Sequence, residues 1–106
     1  MKLLTQKVRN ALPAFYSGEE TPAADKVCPV KFFDPCGSWT WYALEFDGED
    51  TFYGYVDGFE REFGYFSASE LQAVKGPLGI GIERDLHWTP KPLGDAFPEL
   101  RVQAEA

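Results

Sequence analysis

The chain has 106 residues, with 17 acidic and 10 basic side chains and a net charge of −7 at pH 7. A chain of this length predicts a single domain, residues 1–106, with one hydrophobic core. The negative charge repels phosphate backbones and anionic lipid, which argues against direct nucleic-acid binding and against a role on a membrane surface. No apolar run is long enough to cross a membrane, so we expect a cytoplasmic protein.

The first predicted element is a short helix near 5–12. Leu4, Val8 and Leu12 recur at helical spacing, which places them on one side of this helix. Thr5 is a suitable N-cap residue, because its hydroxyl can accept a hydrogen bond from a free N–H group of the first turn.

Four stretches rich in strand-forming residues follow: 30–33, 39–46, 51–56 and 59–66. Asp57-Gly58 lies between the last two stretches and indicates a two-residue type I′ turn, in which both positions require positive φ. Short turns join strands that are neighbours in the chain. Residues 39–66 are therefore predicted to form an antiparallel meander of three strands.

A second short helix is predicted near 68–75. Ser67 and Glu70 have the spacing of a capping box at its start. Gly76 suits the left-handed position that often follows a helix, and Pro77 prevents the helix from continuing.

The end of the chain is predicted to add little regular structure. Residues 80–88 can form one more extended segment, and 94–106 is predicted as a tail that packs loosely. Together the elements predict an α+β fold, which is a twisted antiparallel sheet of four to five strands with the meander at 39–66 and short helices near 5–12 and 68–75.

Many short motifs along the chain match, in order and spacing, those of one family. They are KFF (31–33), WTWYA (39–43), VDGFE (56–60), GYFS (64–67), GPLG (76–79), IERD (82–85) and WTPKPL (88–93). From about Leu3 to Leu93 the chain resembles a small uncharacterised family of bacterial domains of unknown function, common on plasmids and integrative elements. The resemblance implies a cytoplasmic bacterial protein encoded near conjugation or anti-restriction genes, and it carries over no catalytic residue.

One cluster has side chains suited to acid–base catalysis. Glu83, Asp85 and His87 would share one face of a strand, where a carboxylate and an imidazole can exchange protons with a substrate. We favour the simpler interpretation, an exposed strand edge with alternating charges, because no nucleophile is evident beside them. A small hydrolase-like enzyme that uses these three residues is kept as an alternative function.

The two cysteines are predicted to be reduced and to have no function. Seven residues separate Cys28 from Cys36, whereas zinc sites use closely paired cysteines, and the single histidine is His87. We expect neither a metal nor a cofactor.

Negative charge is concentrated in the predicted meander. From Glu45 to Glu62, seven acidic residues accompany one basic residue, Arg61. The simpler explanation is that these residues serve turns and a solvated strand face. The more specific one is a binding face for a partner with a basic surface. This acidic face would consist of Glu45, Asp47, Glu49, Asp50, Glu60 and Glu62.

Large apolar side chains occupy both alternating faces of 39–46. Either other elements cover both faces, or part of the aromatic surface is open to a partner. The second case predicts an aromatic patch of Trp39, Trp41 and Tyr42. On the strand 59–66, alternation predicts that Phe63 and Tyr65 face the core.

These patterns favour a non-enzymatic interaction protein of a bacterial mobile element. The concrete version is an anti-defence or anti-restriction inhibitor, which binds a host or element protein that handles nucleic acid. A module whose aromatic groove binds a peptide or a small ligand is a further alternative.

Overall fold

The computed structural model describes the backbone of residues 1–105 and the side chains of residues 1–102. Its elements in chain order are α1 (Gln6–Ala11), β1 (Val27–Cys28), β2 (Val30–Phe33), β3 (Thr40–Phe46), β4 (Thr51–Asp57), β5 (Arg61–Ser67), α2 (Ala68–Ala73), β6 (Glu83–Arg84), β7 (Lys91–Pro92), α3 (Leu93–Ala96) and α4 (Glu99–Glu105). The predicted α+β fold is confirmed.

The main sheet has five antiparallel strands in the order β5-β4-β3-β2-β6, and β1 pairs separately with β7. Strands β3, β4 and β5 are neighbours both in the chain and in the sheet, so the predicted meander is confirmed. Strand β5 lies at one edge of the sheet, and strand β6, which pairs with β2, lies at the other.

The pairing of β3 with β4 shifts register between Ala43 and Glu45. Gly54 lies opposite this irregularity, and a Cβ atom there would be 2.0 Å from the carbonyl oxygen of Tyr42. Only glycine allows so close an approach of the two backbones. The shift places Glu45 directly opposite Tyr53, and directly paired residues share one face of the sheet.

Two apolar clusters cover the two faces of the sheet. Helices α1 and α2 cover the first face, and the buried residues of this cluster are Leu3, Val8, Leu12, Val30, Phe32, Ala43, Phe46, Phe52, Phe66, Ala68, Leu71 and Ile82. Helices α3 and α4 cover the other face, and the buried residues there are Ala24, Cys28, Tyr42, Leu44, Tyr55, Leu93, Phe97 and Leu100. We call these the α1/α2 face and the α3/α4 face.

The turn chemistry predicted at two glycines is wrong. Asp57 pairs with Arg61, so the hairpin loop has three residues, 58–60, and Gly58 does not have the positive φ of a type I′ turn. The ring of Trp39 lies over Gly58, where a Cβ atom would be 2.5 Å from the ring. Close packing, and not backbone handedness, therefore requires glycine at position 58.

After α2, the left-handed backbone conformation occurs at Leu78 and Gly79, and not at Gly76 as predicted. Gly76 has φ −83°, and its N–H donates to the carbonyl oxygen of Ile80 at 2.7 Å. The residues with positive φ are Leu78, at 59°, and Gly79, at 74°. The helix ends earlier than predicted, at Ala73, with Val74 in an extended conformation.

The prediction that only the Phe63 and Tyr65 side of β5 faces a core is partly wrong, because both faces of the sheet are covered. Phe66 is buried in the α1/α2 cluster, whereas Tyr65 is 61% exposed and Phe63 is only half-buried. The helix that follows β5 packs on the side of Phe66, because Ala68 and Leu71 join the same cluster.

The stretch predicted as a loose tail contains the helices α3 and α4 in its described part. Phe97 and Leu100 are buried against the sheet, and Phe97 makes edge-to-face contacts with Tyr42 and Tyr55. Ala106, the last residue of that stretch, lies outside the described residues.

Candidate functional site

Three aromatic side chains form an open surface at the end of the sheet where the 58–60 loop lies. The ring centroids of Trp39 and Trp41 are 6.0 Å apart, and Trp39 meets Phe59 edge to face at 5.2 Å. The side chain of Phe59 is 94% exposed, although phenylalanine is normally buried. We call Trp39, Trp41 and Phe59 the tryptophan patch.

The sheet beneath holds this patch in place. Trp41 pairs with Val56, and both side chains pack partly against the α1/α2 cluster. Trp39 precedes β3, and its ring rests on the glycine of the 58–60 loop. Two of the three rings are therefore supported from below, while the third projects into solvent.

Two carboxylates border the tryptophan patch. Val56 pairs with Glu62 as well as with Trp41, which places all three in one row on the α1/α2 face. Glu60 lies in the loop that carries Phe59, and both carboxylates are exposed. Among the described residues, neither carboxylate forms an ion pair.

The basic residue between these carboxylates is directed away from them. Arg61 pairs with Asp57 across the hairpin, and its guanidinium contacts the carboxylates of Asp57 and Glu99. It also lies 4.8 Å from the ring of Phe97, on the α3/α4 face. The hydrogen bond to Glu99 raises the pKa of Arg61. The contacts with Asp57 and Glu99 hold its positive charge on that side of the sheet.

Two residues of the predicted site are buried and do not join this surface. Glu45 is 7% exposed, and its carboxylate accepts hydrogen bonds from the backbone N–H groups of Tyr16, at 3.1 Å, and Gly18, at 3.0 Å. Tyr42 is 8% exposed in the α3/α4 cluster. Simple alternation along β3 did not indicate the position of Glu45, because the register shift reverses it after Ala43. Tyr42 lies before the shift and is buried because Leu93, Phe97 and Leu100 pack in the same cluster.

The remaining predicted carboxylates lie at the opposite end of β4. Asp47 Oδ1 accepts hydrogen bonds from the backbone N–H groups of Glu49, Asp50 and Thr51, which lower the pKa of Asp47. Asp50 accepts hydrogen bonds from the backbone N–H and the hydroxyl of Ser69 at the start of α2. The six predicted carboxylates are therefore divided between two ends of the sheet and a buried position.

Glu83, Asp85 and His87, the residues of the catalytic alternative, do not converge on one cavity. Strand β6 ends at Arg84, so Glu83, Asp85 and His87 do not share a strand face as predicted. Asp85 accepts a hydrogen bond from the backbone N–H of His87 at 2.9 Å and pairs with Lys31 at 3.4 Å. Glu83 and Asp85 line separate cavities, and His87 is exposed.

The two cysteines have different environments. Cys28 is fully buried, and burial raises the pKa of its thiol to about 12, which keeps it protonated and unreactive. Cys36 is exposed in the loop between β2 and β3. Among the described residues, no three His, Cys, Asp or Glu side chains form a group that could hold a metal ion.

Phe59, the most exposed member of the patch, was not among the predicted site residues. Phe59 lies between Gly58 and Glu60 in a hairpin loop, and this position indicates exposure. The predicted strand began at residue 59, so strand alternation was applied to Phe59 as well. Four aromatic residues that line a cavity on the α3/α4 face were not predicted as site residues either: Phe15, Tyr16, Tyr53 and Tyr65.

The fold and this surface define an acidic α+β protein with an open aromatic patch. The family described as "Protein of unknown function (DUF2958)" matches residues 3–99, and the chain belongs to this family. Comparisons with curated proteins and with solved structures found no match. Among the described residues, no helix combines the length and apolar character needed to cross a membrane.

Proposed function

We propose that this protein is an interaction module that binds a partner with a basic surface through the tryptophan patch and the flanking Glu60 and Glu62. The exposure of Phe59 beside the ring of Trp39 carries this proposal, because adjoining exposed apolar side chains are typical of interaction surfaces. Aromatic anchors surrounded by polar groups are typical of the energetically important centres of protein interfaces.

Charge supports a basic partner. Glu60 and Glu62 have no countercharge among the described residues, while Arg61 is held on the other face. A basic partner would supply that countercharge and would associate faster because of the electrostatic attraction. The overall charge of −7 adds to the same effect.

We further propose that the partner is a host or mobile-element protein that handles nucleic acid. Such proteins carry basic grooves for phosphate backbones, and an acidic surface can occupy a basic groove in place of nucleic acid. The resemblance to domains common on plasmids and integrative elements supports a cytoplasmic anti-defence or anti-restriction inhibitor as the specific form of this function.

Affinity capture from a bacterial lysate, with tagged wild-type protein and variants in parallel, tests the proposal. The variants are Phe59→Ser, which removes the exposed anchor, and Glu60→Lys with Glu62→Lys. The control is Glu20→Lys with Glu49→Lys, which makes the same change in net charge at exposed positions away from the patch. Capture is measured by quantitative mass spectrometry at low and high salt.

We expect one partner to be retained by the wild type and by the control, but lost with either patch variant and in high salt. Salt screens exposed charges over about 8 Å at physiological ionic strength, so binding driven by these carboxylates must weaken as salt rises. Equal capture by all variants, insensitive to salt, would contradict the proposal.

A further inference from the structure

A second concave surface lies on the α3/α4 face, opposite the tryptophan patch. It has a volume of ≈ 260 Å³ and is lined by Phe15, Tyr16, Glu19, Lys26, Glu45, Tyr53 and Tyr65. We call it the tyrosine cleft. Ligand pockets for drug-sized molecules measure roughly 300–1,000 Å³, so this cleft fits a group the size of one amino-acid side chain.

Aromatic rings form the walls of the tyrosine cleft. The centroid of Tyr65 lies 5.6 Å from that of Phe15 and 5.2 Å from that of Tyr53. These pairs are tilted by 54° and 56°, so the rings do not cover one another's faces. Tyr65 is 61% exposed and Tyr16 is 68% exposed, which leaves aromatic faces open to a ligand.

The segment that carries two of these rings is held in an unfavourable conformation. Tyr16 has φ 68°, which is uncommon for a residue with a bulky side chain. The buried carboxylate of Glu45 fixes this segment, because it accepts the N–H groups of Tyr16 and Gly18. Backbone strain of this kind is often kept where a side chain must be positioned for function.

The charges around the cleft favour a cation. Two carboxylates, Glu19 and Glu45, and one ammonium group, Lys26, line it. The ammonium of Lys26 donates to the carbonyl oxygen of Gly18 at 2.5 Å and keeps its positive charge, so the lining carries one more negative than positive charge. The pKa of Tyr53 is raised chiefly by burial, and the negative charge of the nearby Glu45 carboxylate raises it further.

Elsewhere this protein places its own cations over aromatic rings. Arg9 lies over Phe46, Arg61 over Phe97, and both Lys31 and Lys91 over Trp88. Within the described part of the chain, no cation occupies the rings of the tyrosine cleft in this way. These rings therefore have their cation-binding faces free.

We infer that the tyrosine cleft binds the guanidinium group of an arginine side chain presented by a basic partner protein. Guanidinium is planar and weakly hydrated, so it stacks on aromatic rings while its N–H groups donate to carboxylates. Glu19 at the rim is placed to accept such hydrogen bonds, and the rings supply the stacking surface. This site is separate from the surface of the proposed function.

The test is a titration of ¹⁵N-labelled full-length protein with N-acetyl-arginine amide, at constant ionic strength. N-acetyl-citrulline amide is the matched probe, because it has nearly the same shape without the charge. We expect saturable shifts of the backbone amides of Tyr16, Gly18 and Tyr65 with the arginine compound, and roughly threefold to thirtyfold weaker binding of the citrulline compound. Equal affinity for the two probes, or no shift at these amides, would overturn the inference.

Variants separate this site from the tryptophan patch. Tyr65→Leu removes an exposed ring and should weaken arginine binding roughly threefold or more, whereas Tyr65→Phe keeps the ring and should bind like the wild type. The double variant Glu60→Lys with Glu62→Lys should bind the arginine probe normally. Unchanged arginine binding in Tyr65→Leu would show that the ring does not contribute and would also overturn the inference.

Discussion

At the scale of single residues, a buried carboxylate connects the 13–18 segment to the sheet. Glu45→Gln leaves one oxygen to accept a hydrogen bond and places an amide N–H₂ group against the other backbone donor. Hydrogen bonds to charged groups contribute about 1.5–3 kcal/mol, so we expect a loss of about 2 kcal/mol in the free energy of unfolding. Urea unfolding measures it, with Glu49→Gln as an exposed control that should change stability little.

Asp47 shows a pH effect at the same scale. Hydrogen bonds, chiefly from the N–H of Glu49, lower the pKa of Asp47 below its unfolded value. The ionised form is therefore favoured in the folded protein, and its stabilising effect is present above pH about 4 and is lost as pH falls through the lowered pKa. Asp47→Asn should make stability less dependent on pH in this acidic range. An unchanged acid-unfolding profile would contradict the assignment.

Gly58 supports the ring of Trp39. In Gly58→Ala the new Cβ atom would lie 2.5–2.7 Å from three ring atoms, so the indole must move. Because the ring is only half-buried, we expect a cost of about 1 kcal/mol, at the low end for overpacking. Tryptophan fluorescence and urea unfolding report the change. Gly64→Ala is the control, because a Cβ atom at Gly64 meets no atom within 4 Å.

At the scale of elements, the C-terminal helices complete the core of the α3/α4 face. Phe97 is 4% exposed, and its ring centroid lies 5.0 Å from Tyr42 and 4.9 Å from Tyr55. Phe97→Ala should therefore cost about 3–5 kcal/mol in unfolding free energy. Val102→Ala, at a residue that is 67% exposed, should cost little. Similar small effects for both variants would show that the helices dock weakly.

Local chemistry determined which elements could be predicted from the sequence. The N-caps of both predicted helices were predicted correctly: the hydroxyls of Thr5 and Ser67 accept backbone N–H groups at the starts of α1 and α2. The meander was also predictable, because strand-forming residues and turn residues alternate from β3 to β5.

Features that depend on contacts between distant residues could not be predicted in this way. The burial of Glu45 requires both the register shift of β3 and the approach of the 13–18 segment. Helices α3 and α4 are short and lie among prolines, so their formation depends on burying Phe97 against the sheet. The exposure of Phe59 depends on a loop one residue longer than its Asp-Gly sequence indicates.

At the scale of the whole molecule, the negative charge is dispersed. Asp47 and Asp50 serve the loop and helix at one end of β4, and Asp57 and Glu99 hold Arg61 on the α3/α4 face. Glu60 and Glu62, near the tryptophan patch, form no ion pair among the described residues, and neither do exposed carboxylates elsewhere, such as Glu20 and Glu49. The net charge of −7 favours a partner with a positively charged surface. The capture experiment tests whether such a partner binds at this end of the sheet.

The edge position of β5 has a consequence for aggregation. Within the described residues its outer side has no partner strand, and it contains the aromatic sequence FGYF (63–66). Such an edge can recruit the same strand of another molecule, and charged residues are a common protection against this. Glu62→Val should therefore form thioflavin-positive aggregates sooner than wild type under mildly denaturing conditions. Glu62→Lys should remain protected, because protection needs a charge of either sign, whereas binding to a basic partner needs a negative one.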